Sequence, residues 1–339
     1  MTLDRRHLLA TMGAAGAAAA FPRPGLARDK VTVGALRFTS HAASFVAYER
    51  GYFAEEGLDV EFTFFQAAQP MAVAIASRDA DFGVTAITGG LISLADKGAA
   101  RIVGGALSEE PGIDGQMILA SNQAYADGLT TPANLGGRRF GITQAGSSFH
   151  YMASRIAAAE GIDPASLRLT PLQKVGAIIG ALKSGQIDAW SIVPHIAKAL
   201  ADAGAATPIG MVADYLPDYQ VTTVFTSTRN AEQDRAKTEA FLRAFARGAA
   251  DFNAALVDRT AGEEAAEEMV RLIHGYVYID RPYAQAAPSI RNGAMRINAG
   301  AALNLGSVRD QFDWFKSENL IDPAIPLDRL VDRSYVEMI

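Results

Sequence analysis

The chain reads as an α/β protein of two lobes, each a mainly parallel sheet flanked by helices, joined by two hinge strands. Three observations predict this. From residue 30 onward, strand and helix patterns alternate in the rhythm that parallel sheets with crossover helices produce. One construction occurs twice: 76–84 (ASRDADFGV) and 182–192 (LKSGQIDAWSI) each run helix end, tight turn, aspartate, short strand. The length, 339 residues, exceeds what one average domain holds, and a 49% hydrophobic content supplies apolar surface for two cores.

The first 27 residues fit an export signal instead of a fold. TLDRRHLLA carries the Arg5-Arg6 pair, TMGAAGAAAAF is a small-residue apolar stretch, and Gly25-Leu26-Ala27 offers a cleavage point. The arginine pair points to the twin-arginine route, and the apolar run is too short to span a bilayer. Cleavage after Ala27 removes three arginines and one aspartate, which takes the net charge from -6 to -8. A negative chain without a basic stripe is a poor partner for nucleic acid or an anionic membrane. The absence of cysteine excludes disulfides, thiolate metal sites, a cysteine nucleophile and a lipid-modified cysteine anchor. The expected mature product is therefore a monomer free in the periplasm, not anchored to the membrane.

KVTVGALRF (30–38) alternates as a first strand, and Thr39-Ser40 supplies a capping hydroxyl for a helix from about Ala42. Phe45, Val46, Tyr52 and Phe53 suit one buried helical face, Gly57 stops the helix, and 58–65 returns as a strand. A helix over 70–77 leads into a short strand ending at Thr85. GRRFGIT (137–143) is a strand after a glycine turn, and 146–161 is a helix with a hydroxyl start and a glycine stop. GQMILAS (115–121) and QVTTVFTS (220–227) read as the two crossings between lobes, the second the return partner of the first. Lobe 1 is then 28–116 with 223–339, lobe 2 is 117–222, and helices are expected at 239–256, 266–276 and 308–320.

At YERGYFAEEGLDVEF (48–62) the chain resembles the solute-binding proteins of ABC importers, in the branch that includes taurine, alkanesulfonate, nitrate and thiamine-pyrimidine-precursor binders. The resemblance continues at DADFGVTA (79–86), LGGRRFGITQAGSS (135–148), GQIDAW (185–190) and VFTSTRN (224–230), and spans about residues 31 to 320. Arg78 stands where that family usually has glycine, which concerns a turn more than a site. The resemblance implies a type II periplasmic binding fold with ligand in the interlobe cleft, working with a permease and ATPase complex and requiring no cofactor.

Open parallel sheets place ligands at the carboxyl ends of strands, where helix N-termini present free N–H groups. That rule selects the loops 37–41, 85–89, 144–149 and 189–195, where the family's contacts also fall. Gly146, Ser147 and Ser148 suit a sulfonate, carboxylate or phosphate, and Ser40, Thr85, Thr88 and Gln144 add polar groups to the same loops. Each cap hydroxyl also reads as an ordinary N-cap. Arg37 could grip an anion bidentately or serve as a rim ion pair. Trp190, Phe149 and Tyr215 are candidates for an aromatic wall, although a large aromatic is more often core. His41, His150 and His195 fall in or beside these loops without metal-ligand spacing, so no metal is expected.

Nucleophile elbow, P-loop, dinucleotide fingerprint and H-E-x-x-H motifs are all missing. The expected function is capture of a small organic anion, a sulfonate or an aromatic carboxylate, for import without chemistry. The alternatives are a periplasmic enzyme, a binder of thiamine-pyrimidine-precursor type, or a sensor subunit using the same cleft.

Overall fold

The computed structural model describes residues 28–339, so the export signal read at 1–27 lies outside the described residues. Ten strands form two sheets. The strands are β1 (Asp29–Ala35), β2 (Leu58–Phe64), β3 (Phe82–Thr85), β4 (Ala100–Gly105), β5 (Met117–Ala120), β6 (Arg139–Ile142), β7 (Arg168–Pro171), β8 (Ala189–Ile192), β9 (Thr207–Met211) and β10 (Thr223–Ser227). The first sheet has the order β2-β1-β3-β10-β4 and the second β7-β6-β8-β5-β9. The two are built alike. In each, the strand that enters from the other sheet (β10 in the first, β5 in the second) lies antiparallel between two neighbours.

Among the described residues eight helices precede β10: α1 (Ala42–Glu49), α2 (Tyr52–Glu55), α3 (Ala68–Ser77), α4 (Gly89–Asp96), α5 (Asn122–Ala126), α6 (Ser148–Ala159), α7 (Val175–Lys183) and α8 (Pro194–Asp202). Five follow it: α9 (Thr228–Gln233), α10 (Arg235–Phe252), α11 (Gly262–His274), α12 (Tyr283–Arg291) and α13 (Leu305–Ser317). No helix among the described residues is long and apolar enough to cross a membrane.

Local chemistry accounts for the elements. In β2, LDVEFTF buries Leu58 and Val60 and exposes Asp59 and Glu61, as an edge strand with one wet face does. The continuous helix expected through Tyr52 and Phe53 is instead two, because Gly51 adopts φ 74° between α1 and α2. Arg78 ends α3 at φ 68°, the left-handed conformation glycine would take without steric cost. The repeated aspartates brace their turns in both sheets: Asp81 accepts from the Thr32 backbone N–H at 2.9 Å, and Asp188 from that of Arg139 at 2.7 Å. Burial by itself would raise the Asp188 carboxyl, but hydrogen bonds from the Arg139 side chain and backbone outweigh it and hold the group below the usual range.

The two runs expected to pair as crossings do not pair. β5 and β10 enter the interiors of different sheets; β10 is buried along its whole length. The segments that pair between the sheets are the more polar stretches beside them, 106–116 and 212–222. Val221 donates to the Leu107 carbonyl at 2.9 Å, Glu109 to Tyr219 at 2.9 Å, and Val212 to Gln116 at 2.9 Å. Gln220, fully buried, ties this ribbon to the C-terminal region: its amide donates to the Leu107 and Thr222 carbonyls and accepts from Asn298 and from the Asn304 backbone.

The C-terminal helices pack on the first sheet's helices and reach the second. Phe241 of α10 stacks on Phe82 with ring centroids 4.1 Å apart. A methyl group on Gly248 would meet the Ala43 carbonyl at 2.2 Å, so glycine permits α10 to close on α1. From α13, the Trp314 indole N–H donates to Ser154 of α6 at 3.0 Å, and Asp310 accepts from Tyr151 at 2.5 Å.

Candidate ligand cleft

Where the two sheets face each other lies a cavity of about 60 Å³. Its wall is assembled from helix beginnings. Ser40 and His41 lead into α1, Ala67 and Ala68 open α3, Ser147 and Ser148 open α6, Val175 opens α7, and Val193 precedes α8. Each contributes backbone N–H groups and the positive end of a helix dipole. Among the described residues no arginine or lysine lines this cavity. Its positive character comes from backbone dipoles alone.

Two side chains in the wall have unspent donors. Ser147 is the N-cap residue of α6, but its hydroxyl does not cap the helix and makes no hydrogen bond, although the residue is only 3% exposed. Gln116, 2% exposed, stands at the end of the first hinge segment with its side-chain nitrogen equally unpartnered. A buried donor left unpaired costs about 1–3 kcal/mol, a cost that a ligand oxygen would relieve. His41 adds a neutral ring. Burial drives its pKa down to about 3, and its Nδ1 accepts from the Leu36 N–H at 3.4 Å.

Six of the twelve residues selected from sequence line this cavity: Ser40, His41, Thr85, Ser147, Ser148 and Phe149. The structure places the others elsewhere. Arg37 is exposed beyond the cavity, its guanidinium 3.8 Å over the Phe64 ring and donating to the Tyr276 carbonyl. Thr88 spends its hydroxyl as the cap of α4, accepting from Leu91 at 3.0 Å and donating to Gln69 at 2.7 Å. The Gln144 carbonyl accepts from the Ser147 N–H in the turn before α6. Gly146, at φ 72°, accepts from the Gly89 N–H at 3.0 Å, a backbone contact from one half of the molecule to the other. Trp190 is core, fully buried, with Phe149 packed on it at 5.5 Å and standing between it and the cleft. Tyr215 donates to Glu160 on a separate surface.

Gln116, Thr143 and Thr222 line the cavity but were missed from sequence. Thr143 follows directly on β6 and could have been found by the strand-end rule. Gln116 and Thr222 lie in the hinge ribbon, where the expected strands hid them. Among the described residues no three histidine, aspartate or glutamate side chains converge as a metal site. His150 is separate from the cavity, its Nδ1 accepting from the Gly146 N–H at 3.2 Å and its ring lowered in pKa by burial.

Residues 38–255, more than half the chain, match the protein family described as NMT1/THI5 like. The chain belongs to that family. Comparison with curated proteins finds no match. Among solved structures, this NMT1/THI5-like protein is similar in fold to the periplasmic aliphatic sulphonate binding protein SsuA from Escherichia coli, with a TM-score of 0.69 and 17% identity over 92% of this chain and 94% of that one. It is similar to the periplasmic nitrate-binding protein NrtA from Synechocystis PCC 6803, with a TM-score of 0.65 and 15% identity over 89% of this chain and 84% of that one. A desulfurization enzyme, DSZB, is a more distant likeness, with a TM-score of 0.58 and 16% identity over 91% and 97% of the two chains. At these identities the likeness establishes a shared two-lobed fold, and ligand and chemistry have to be argued from the NMT1/THI5-like protein's own cleft.

Proposed function

We propose that this protein is the substrate-binding component of an ABC importer, exported by the twin-arginine route to the periplasm, and that it captures a small organic anion without transforming it. A sulfonate or an aromatic carboxylate is the ligand class. The observation that carries the reading is the Ser147 hydroxyl: buried, lining the cavity, and not spent on the helix it begins. Beside it the converging helix N-termini supply N–H donors for the anion's oxygens. Phe38 and Phe149 offer apolar contact to the rest of the molecule.

Capture follows from the hinge. The 106–116 and 212–222 ribbon is the only covalent link between the two sheets within the described residues, and the cavity forms where the lobes meet. A ligand held by both sides therefore favours closure, by as much as it binds the closed state better than the open one. Gln116 puts the hinge itself in the wall, so the ligand touches the element that bends. The lining also weighs against an enzyme. The one titratable side chain in the wall, His41, is held neutral, and its Nδ1 is engaged by backbone.

Isothermal titration with alkyl and aryl sulfonates, aromatic carboxylates, nitrate and pyrimidines tests the reading, with product analysis of each mixture. An organic anion should bind unchanged, and replacing Ser147 and Ser148 with alanine should weaken it about tenfold or more, a loss of about 1.4 kcal/mol. Unchanged affinity in that double variant would remove the helix-cap anion site. Conversion of the ligand would make the protein an enzyme.

A further inference from the structure

A second cavity, about 490 Å³, opens outward from the first and shares Leu36, Phe38 and Val175 with it. The inner cavity is well below the roughly 300–1,000 Å³ that small-molecule sites offer; the outer one falls within that range. Its chemistry is divided. Phe65, Ile179 and Leu200 make an apolar wall, while Arg37, Lys183 and Arg281 stand at the rim, exposed, with no ion-pair partner among the described residues. Asp280 is its single acidic residue.

Two further features mark this chamber as built. His195 lines it while only 1% exposed, and neither ring nitrogen has a hydrogen-bond partner. One residue facing it is held against its backbone preference. Tyr278 takes a left-handed φ of 58°, and its hydroxyl donates to the His195 carbonyl at 3.0 Å. Beside it Ile279 is 54% exposed, an apolar side chain at the mouth of the same chamber. Phe38 packs edge-on to His195 at 5.4 Å and to His41 at 6.1 Å, so one aromatic ring belongs to both cavities.

We propose that the outer chamber is a second subsite, receiving an apolar body that ends in an anionic group facing Lys183 and Arg281. The ligand is then an elongated molecule with two acidic ends, its compact head at the helix N-termini and its body running past Phe38 and His195. This rests on the anion-capturing reading of the inner cavity.

Titration calorimetry with ethanesulfonate, octanesulfonate and ω-sulfooctanoate tests it, on the native protein and on the double variant Lys183→Gln, Arg281→Gln. Both positions are exposed, so folding is not at stake. The native protein should bind ω-sulfooctanoate about tenfold or more tighter than octanesulfonate, and octanesulfonate tighter than ethanesulfonate. The double variant should lose the first difference and keep its affinity for ethanesulfonate. Equal binding of all three by the native protein, or an advantage for ω-sulfooctanoate that survives the double substitution, overturns the second subsite and leaves the inner anion site standing. No binding of any of the three by the native protein overturns both.

Discussion

Ser147 and Thr88 are both N-cap residues, and the fold uses their hydroxyls in opposite ways. The Thr88 hydroxyl accepts from Leu91 and is spent on its own helix; the Ser147 hydroxyl accepts from nothing. Thr88→Ala should therefore lower stability by about 1 kcal/mol with little effect on ligand affinity. Ser147→Ala removes a buried hydroxyl with no partner, so it should raise the urea midpoint of the free protein and weaken binding. Chemical denaturation and titration of the two variants side by side would show the crossed pattern. Nothing in the sequence separates these residues, since both are hydroxyls before helices at strand ends. The same blindness applied to Arg37 and Trp190. An arginine at a strand end reads as an anion clamp until Phe64 and the Tyr276 carbonyl are seen to hold it, and Trp190 reads as a wall until Phe149 is seen to cover it.

At the scale of elements, the legible parts were those whose neighbours are local. β1 to β3, the helices between them and the counterparts β6 and β8 follow period and punctuation, and the two aspartate turns announced that the design occurs twice; β7 was not expected. The hinge was misread because pairing between distant segments leaves no periodic trace. An apolar run looks like a strand whether its partner is a sister crossing or the middle of a sheet. Closure depends on contacts equally silent in sequence. A methyl group at Gly293 would meet the His195 Cα at 2.4 Å, so the loop after α12 seats against the start of α8 only as glycine. Gly293→Ala should hold the lobes apart: the radius of gyration of the free protein in small-angle scattering should rise, and ligand affinity should fall without loss of secondary structure.

For the molecule as a whole, three buried titratable groups set the pH of greatest stability. Glu109, in the hinge ribbon, is 3% exposed; burial pushes its carboxyl up to about 7, against the hydrogen bond from the Gln116 backbone N–H. Its folded form holds a proton that the unfolded chain releases, so its contribution is complete below its ordinary range and is lost as pH rises toward 7. His41 and His195 work in the other direction. Burial lowers both to about 3, with His41's charge adding to the effect on His195, so their contribution is present above pH 6.5 and is lost as pH falls below it. Stability should peak near pH 6 to 7. Glu109→Gln keeps an acceptor for the Gln116 N–H and should raise stability at pH 8 by on the order of 3 kcal/mol, measured by urea unfolding at pH 5, 6.5 and 8. An unchanged pH profile in that variant would mean that water reaches the hinge carboxyl and keeps it charged.

The place of β10 between β3 and β4 also sets an order of events for the newborn chain. The Thr223 hydroxyl finds its acceptor, the Thr85 carbonyl, 138 residues earlier in the sequence. Until β10 is synthesised the first sheet has a gap in its interior, with unpaired edges on both sides of it. The second sheet suffers no such delay, since all of its strands lie in one unbroken stretch of chain. Folding is therefore expected to run from the middle of the chain outward, with the first lobe the last to be finished. A protein assembled in that way is exposed to mispairing for as long as its end is missing, and it gains from being completed before it crosses a membrane. An export route that carries folded cargo, the one expected from the arginine pair at its start, would meet that need.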